Sequence, residues 1–98
     1  MKTTQEVYDA LVAYMNKFTE PASSWYAGIA ADPRDRLFSD HNVNETNGQW
    51  AFDTCSTDTD ARAVEAAMLK LGCKGGGGGG DHTTKSCYVY FITNSTVE

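Results

Sequence analysis

Apolar side chains recur along this chain at two spacings, and the switches between them divide it into elements. In residues 3–18, TTQEVYDALVAYMNKF, the set Val7, Leu11, Tyr14, Met15 and Phe18 repeats at helical spacing. Thr3 and Glu6 match a capping box at its start, and Pro21 closes it. Residues 24–29, SWYAGI, are short and rich in aromatic and branched side chains, which predicts a strand. Asp32 then offers an N-cap, Pro33 suits a first helical position and Asp35 suits the positive helix end, so a short helix is predicted to about Asp40.

Residues 41–49, HNVNETNGQ, are polar and turn-forming, and they lead into QWAFDTC, where Trp50 and Phe52 alternate with smaller or polar residues. A second strand with one buried face is expected there. Ser56, Thr57 and Asp58 are candidate caps for a third helix over 59–71, with Ala61, Val64, Met68 and Leu71 as its apolar stripe and Gly72 as its stop. CYVYFI, residues 87–92, supplies a third strand. The order predicts an α+β fold: a small three-stranded, mostly antiparallel sheet flanked by about three helices. Length bounds the rest, since 98 residues make one domain with one modest core.

Six consecutive glycines, 75–80, lose more backbone freedom on ordering than any other residues would. A flexible connector over 74–82 is therefore expected. The rival reading is an anion-cradling loop, but the Lys and Ser/Thr of a Walker loop are missing; Asp81 and His82 at the exit are weak ligand candidates. Cys55, Cys73 and Cys87 are odd in number and widely spaced, which favours free thiols over a disulfide framework or a zinc site. No apolar run approaches the roughly 20 residues of a membrane span, and the start lacks a secretory pattern, so a cytoplasmic protein without membrane contact is expected. The net charge of −5 counts against gripping duplex DNA through its phosphates.

One stretch carries chemistry. In WYAGIAADPRDRL, Tyr26 and Gly28 sit on the predicted strand and Arg36 follows on the next helix. This pattern resembles the second half of the signature of the GIY-YIG nuclease family, a Y-x-G strand followed by a helix bearing the catalytic arginine. Family members continue with a strand and then a helix bearing a metal-binding glutamate; here the matching residue is Glu65. The family's first strand, with its G-I-Y, is absent from its usual place. CYVYFI can substitute by returning beside Tyr26, with Tyr90, or less closely Tyr88, as the signature tyrosine, which makes the chain look like a circular permutant. A second departure is His41, which stands fifth after Arg36 where members place such a residue fourth, so that a regular helix would not put the two on one face.

The resemblance implies a small metal-dependent nuclease. Glu65 would hold Mg²⁺ or Mn²⁺, Arg36 would stabilise the phosphoryl charge, and Tyr26 and Tyr90, assisted by His41, would position or deprotonate the attacking water. Nucleic acid is then the partner, with a homo-oligomer or an attached module helping to hold it. The alternative is a catalytically silent module of the same fold that binds a protein or a nucleotide-like ligand, as an inhibitor directed by a virus at a host protein would. Convergence of these side chains on one open spot, with Glu65 free of an ion pair, separates the two.

Overall fold

The computed structural model describes residues 2–76 and 80–98, so that 77–79, the middle of the expected glycine connector, lie outside the described residues. The chain forms an α+β fold. Helix α1 (Thr4–Met15) begins with the expected capping box, the Thr3 hydroxyl accepting from the Glu6 amide while the Glu6 carboxylate accepts from the Thr3 amide. It stops before Phe18, which nevertheless packs against the core from the following turn. A 3₁₀ turn (Ala22–Ser24) then leads into β1 (Trp25–Ala30).

Asp32 caps α2 (Pro33–Asp35) by accepting from the Asp35 amide, and the helix widens into a π-turn over Arg36–Asp40. Strand β2 (Trp50–Thr54) follows. Helix α3 (Asp58–Leu71) is capped by Thr57 and ends at Gly72, whose φ of 127° suits a residue without Cβ. Strand β3 (Ser86–Phe91) completes a sheet of order β1-β3-β2, antiparallel throughout, with β3 in the centre.

The period-2 alternation of the strands divides the core by face. Trp25, Ala27, Ile29, Cys87 and Val89 pack against α1 and α3, while Ala30, Tyr88, Tyr90, Tyr26, Trp50 and Phe52 pack on the other face with Leu37 of α2's π-turn. Two expectations are corrected. The apolar stripe of α3 consists of Ala61, Val64 and Met68, whereas Leu71, the last residue before the Gly72 stop, is 45% exposed. Strand β2 has no fully buried face: Trp50, Ala51, Phe52 and Asp53 are all half-buried, although Ala51 packs on one core cluster and Trp50 and Phe52 on the other. The three cysteines are free and buried, and burial pushes the Cys73 thiol up to about 11. No described helix is long and apolar enough to cross a membrane.

Candidate functional site

Strand register places tyrosines opposite a tyrosine and a glycine. Tyr26 on β1 faces Tyr90 on β3, and their rings stack with centroids 5.2 Å apart. Two residues along, Gly28 faces Tyr88. The Tyr88 ring fills the space a side chain at 28 would need: a Cβ there would lie 2.5 Å from its hydroxyl oxygen. The glycine in Y-x-G is thus required by the opposing ring.

The π-turn brings His41 to these rings. In an α-helix, residue 41 would point roughly 140° away from residue 36, but the wider turn closes with the His41 amide bonding the Arg36 carbonyl at 2.9 Å. The imidazole lies buried among Tyr26, Tyr88 and Tyr90, with ring centroids 4.9, 5.5 and 4.9 Å away. Its Nδ1 is 2.6 Å from the Val97 carbonyl oxygen, which can only accept, so Nδ1 carries a proton. In the neutral ring, Nε2 then accepts from the Tyr88 hydroxyl at 2.7 Å. Tyr90 completes the cluster, its hydroxyl 3.1 Å from Nδ1 and donating to the Val97 carbonyl at 3.4 Å. Burial holds both phenols protonated: it pushes Tyr88 up to about 12, with the nearby Arg36 guanidinium pulling the other way, and raises Tyr90 with a further push from Tyr26.

Beside this cluster, at the outer edge of β1, where Lys74 bonds the Trp25 and Ala27 backbone, a cleft of about 170 Å³ is lined by Tyr26, Gly28, Ile29, Arg36, Glu65, Gly76 and Tyr88. Three of the five side chains expected at a site, Tyr26, Arg36 and Glu65, therefore share one cavity. Tyr90 and His41 do not line it: strand register sets Tyr88, not Tyr90, opposite Gly28 at the cleft, and His41 is hydrogen-bonded to the Tyr88 hydroxyl. The tyrosine of β3 that faces the cleft is Tyr88. Asp81 is tied into a local turn by the Thr83 hydroxyl and by the Thr83 amide at 2.8 Å, which in that order hold its carboxyl below the usual range.

Arg36 is half-exposed and pairs with Asp40 at 3.2 Å, while Arg62 pairs with Asp58 at 3.5 Å. Neither cation forms an ion pair with Glu65. Among the described residues no hydrogen bond or ion pair reaches the Glu65 carboxylate, although it is only 7% exposed. Burial raises its pKa, opposed by Arg62. An acid with a raised folded-state pKa prefers the neutral form, so its destabilising effect is absent at low pH and grows as pH rises through the folded value. Glu65→Gln is accordingly expected to raise Tm by about 2–6 °C at pH 7 and by nothing at pH 3, read by thermal melting at both pH values. An equal gain at both would show that ionisation of Glu65 is not the cause.

Sequence reading missed two parts of this site, the π-turn and the Val97 carbonyl that orients His41. Neither has a local signal. Gly28 did carry one, since a glycine inside a strand marks a close approach. Gly28→Ala is expected to displace the Tyr88 ring, break its bond to His41 and cost about 1–3 kcal/mol. On a Tyr88→Ala background the same change should cost far less, and equal costs by denaturant unfolding would refute the steric coupling.

The chain matches no family model, no curated protein and no solved structure.

Proposed function

We propose that the chain is a small nuclease of GIY-YIG type in permuted form, hydrolysing nucleic-acid phosphodiesters in the cleft at the edge of β1. The observation that carries this reading is the Glu65 carboxylate, on a mostly buried residue and free of any hydrogen bond or ion pair among the described residues, which lines one solvent-open cleft together with Arg36, Tyr26 and Tyr88. The antiparallel pairing that sets Tyr90 opposite Tyr26 supports the permuted arrangement.

The residues divide the work by chemistry. Arg36 offers its planar fork to the phosphoryl oxygens, leaving an exposed i,i+4 pair with Asp40 that is worth only about 0.3–0.5 kcal/mol. Tyr88 remains a phenol at neutral pH, so it acts as a relay: its oxygen takes the proton of the attacking water as its own proton passes to His41 Nε2. The Val97 carbonyl steadies the charge that forms on the ring through Nδ1. Tyr26 flanks the phosphate, and Tyr90 supports Tyr26 from behind by stacking.

Among the described residues no group of three His, Cys, Asp or Glu side chains is placed to hold a metal ion. Glu65 alone fits Mg²⁺, a hard cation that keeps several waters and often takes a single carboxylate. When bound there it would supply positive charge against the phosphoryl oxygens. The net charge of −5 favours the second reading, a silent binding module. Incubation with single-stranded DNA, supercoiled DNA and RNA, with Mg²⁺ or Mn²⁺ or with chelator, separates the two. Metal-dependent cleavage by the wild type and its loss in a folded Glu65→Ala variant are expected; no cleavage by well-folded, metal-supplied protein would overturn the nuclease.

A further inference from the structure

A second cavity of about 620 Å³ adjoins the cleft and shares Tyr26 and Gly76 with it. Its other walls are Leu69 and Cys73 of the α3 end, Lys74, Gly75 and Glu98. Resting on the nuclease reading, we infer that this cavity receives one unstacked nucleobase next to the scissile phosphate, so that the substrate is single-stranded nucleic acid.

Four features of the molecule lead there. The volume falls in the range of pockets for small organic ligands, where a planar base fits and a hydrated cation alone does not require so much space. The walls are of the right kind, with apolar Leu69 and Cys73 for a ring face and the Tyr26 ring between the two cavities. Tyr26 is held in place by its stack on Tyr90, and its hydroxyl points toward Gly76, where a Cβ would lie 3.6 Å away. Gly76 leaves room beside the Tyr26 hydroxyl, whereas Gly75 packs against the Ala27 carbonyl and Leu69, and Glu98 offers an acceptor for an exocyclic amine.

Charge decides between single strand and duplex. Lys2, Arg34, Arg36 and Arg62 each stand against a carboxylate, and the molecule is acidic overall, so phosphate contacts supply little affinity. Lys17, Lys70, Lys74 and Lys85 are exposed and have no ion-pair partner among the described residues, and of these four Lys74 lines the cavity. One cation and one stacking platform suit a strand whose bases are already free, since stacking on an aromatic is worth about 1–3 kcal/mol per base. A duplex would first have to be unpaired.

The test uses the full chain in chelator, where nothing is cleaved, with a short single-stranded oligonucleotide carrying 2-aminopurine. Saturable fluorescence change is expected, with an unlabelled single strand competing more strongly than the matching duplex. Lys74→Glu and Leu69→Ala should each weaken binding about five- to hundredfold while melting as a folded protein. Wild-type affinity in both variants, equal competition by duplex, or no saturable binding would overturn the subsite. A parallel cleavage assay with Mg²⁺ keeps the two readings apart. Cleavage unaffected by Lys74→Glu and Leu69→Ala leaves the nuclease standing and removes the subsite, whereas variant-sensitive binding by a protein that never cleaves keeps the subsite and removes the chemistry.

Discussion

Arg36→Ala is expected to slow single-turnover cleavage by about 10²–10³-fold, the loss typical of removing one donor to a charged transition state. The effect should fall on chemistry and hardly on stability. Arg36 is half-exposed and its one ion pair, to Asp40, spans a single helical turn; its loss should lower Tm by no more than about 4 °C. Arg36→Lys should recover only a small part of the rate, because an ammonium cannot present two parallel donors to one phosphate. A folded Arg36→Ala protein that cleaves as fast as wild type would remove Arg36 from the mechanism.

Trp25→Ala should cost the most stability, about 3–5 kcal/mol out of the 5–15 kcal/mol typical of a small domain. Trp25 is fully buried and ties α1 to the sheet, with Tyr14, Phe18 and Phe91 around it at ring centroid distances of 6.0, 5.5 and 5.6 Å. Its indole Nε1 is buried without a hydrogen-bond partner among the described residues. Trp25→Phe keeps a ring in the space and deletes that unsatisfied donor, so it should lose less than half as much. Denaturant unfolding checks the order; a Trp25→Phe loss equal to that of Trp25→Ala would show that the aromatic contacts are not what Trp25 contributes.

The elements were legible in the sequence wherever a local rule governs them. The Thr3 and Glu6 capping box, the Asp32 cap before Pro33, and the Gly72 stop all act within a turn of the residues that signal them. Leu71 misled because helical spacing describes a face without saying where the partner surface stops. The candidate site was legible as residue types and only partly as geometry. Tyr26, Arg36 and Glu65 meet as expected, yet whether Tyr88 or Tyr90 turns to the cleft depends on the register of β3 against β1, which sets Tyr88 opposite Gly28. The placement of His41 against the tyrosines depends on one i→i+5 bond, and no propensity of the intervening Leu37, Phe38, Ser39 and Asp40 encodes it.

The sheet order has a consequence for how the molecule is made. Strands β1 and β2 never pair with each other; each has β3, which follows both in the chain, as its strand partner. A nascent chain synthesised only through α3 therefore holds two strands with open edges and a tyrosine cluster still missing Tyr88 and Tyr90. Sheet and site must then form together, by closure of long loops around a late strand, a topology that slows folding and prolongs exposure of pairing-competent edges. Helix α1, whose cap and stripe are local, is the part of the molecule free to form before that moment.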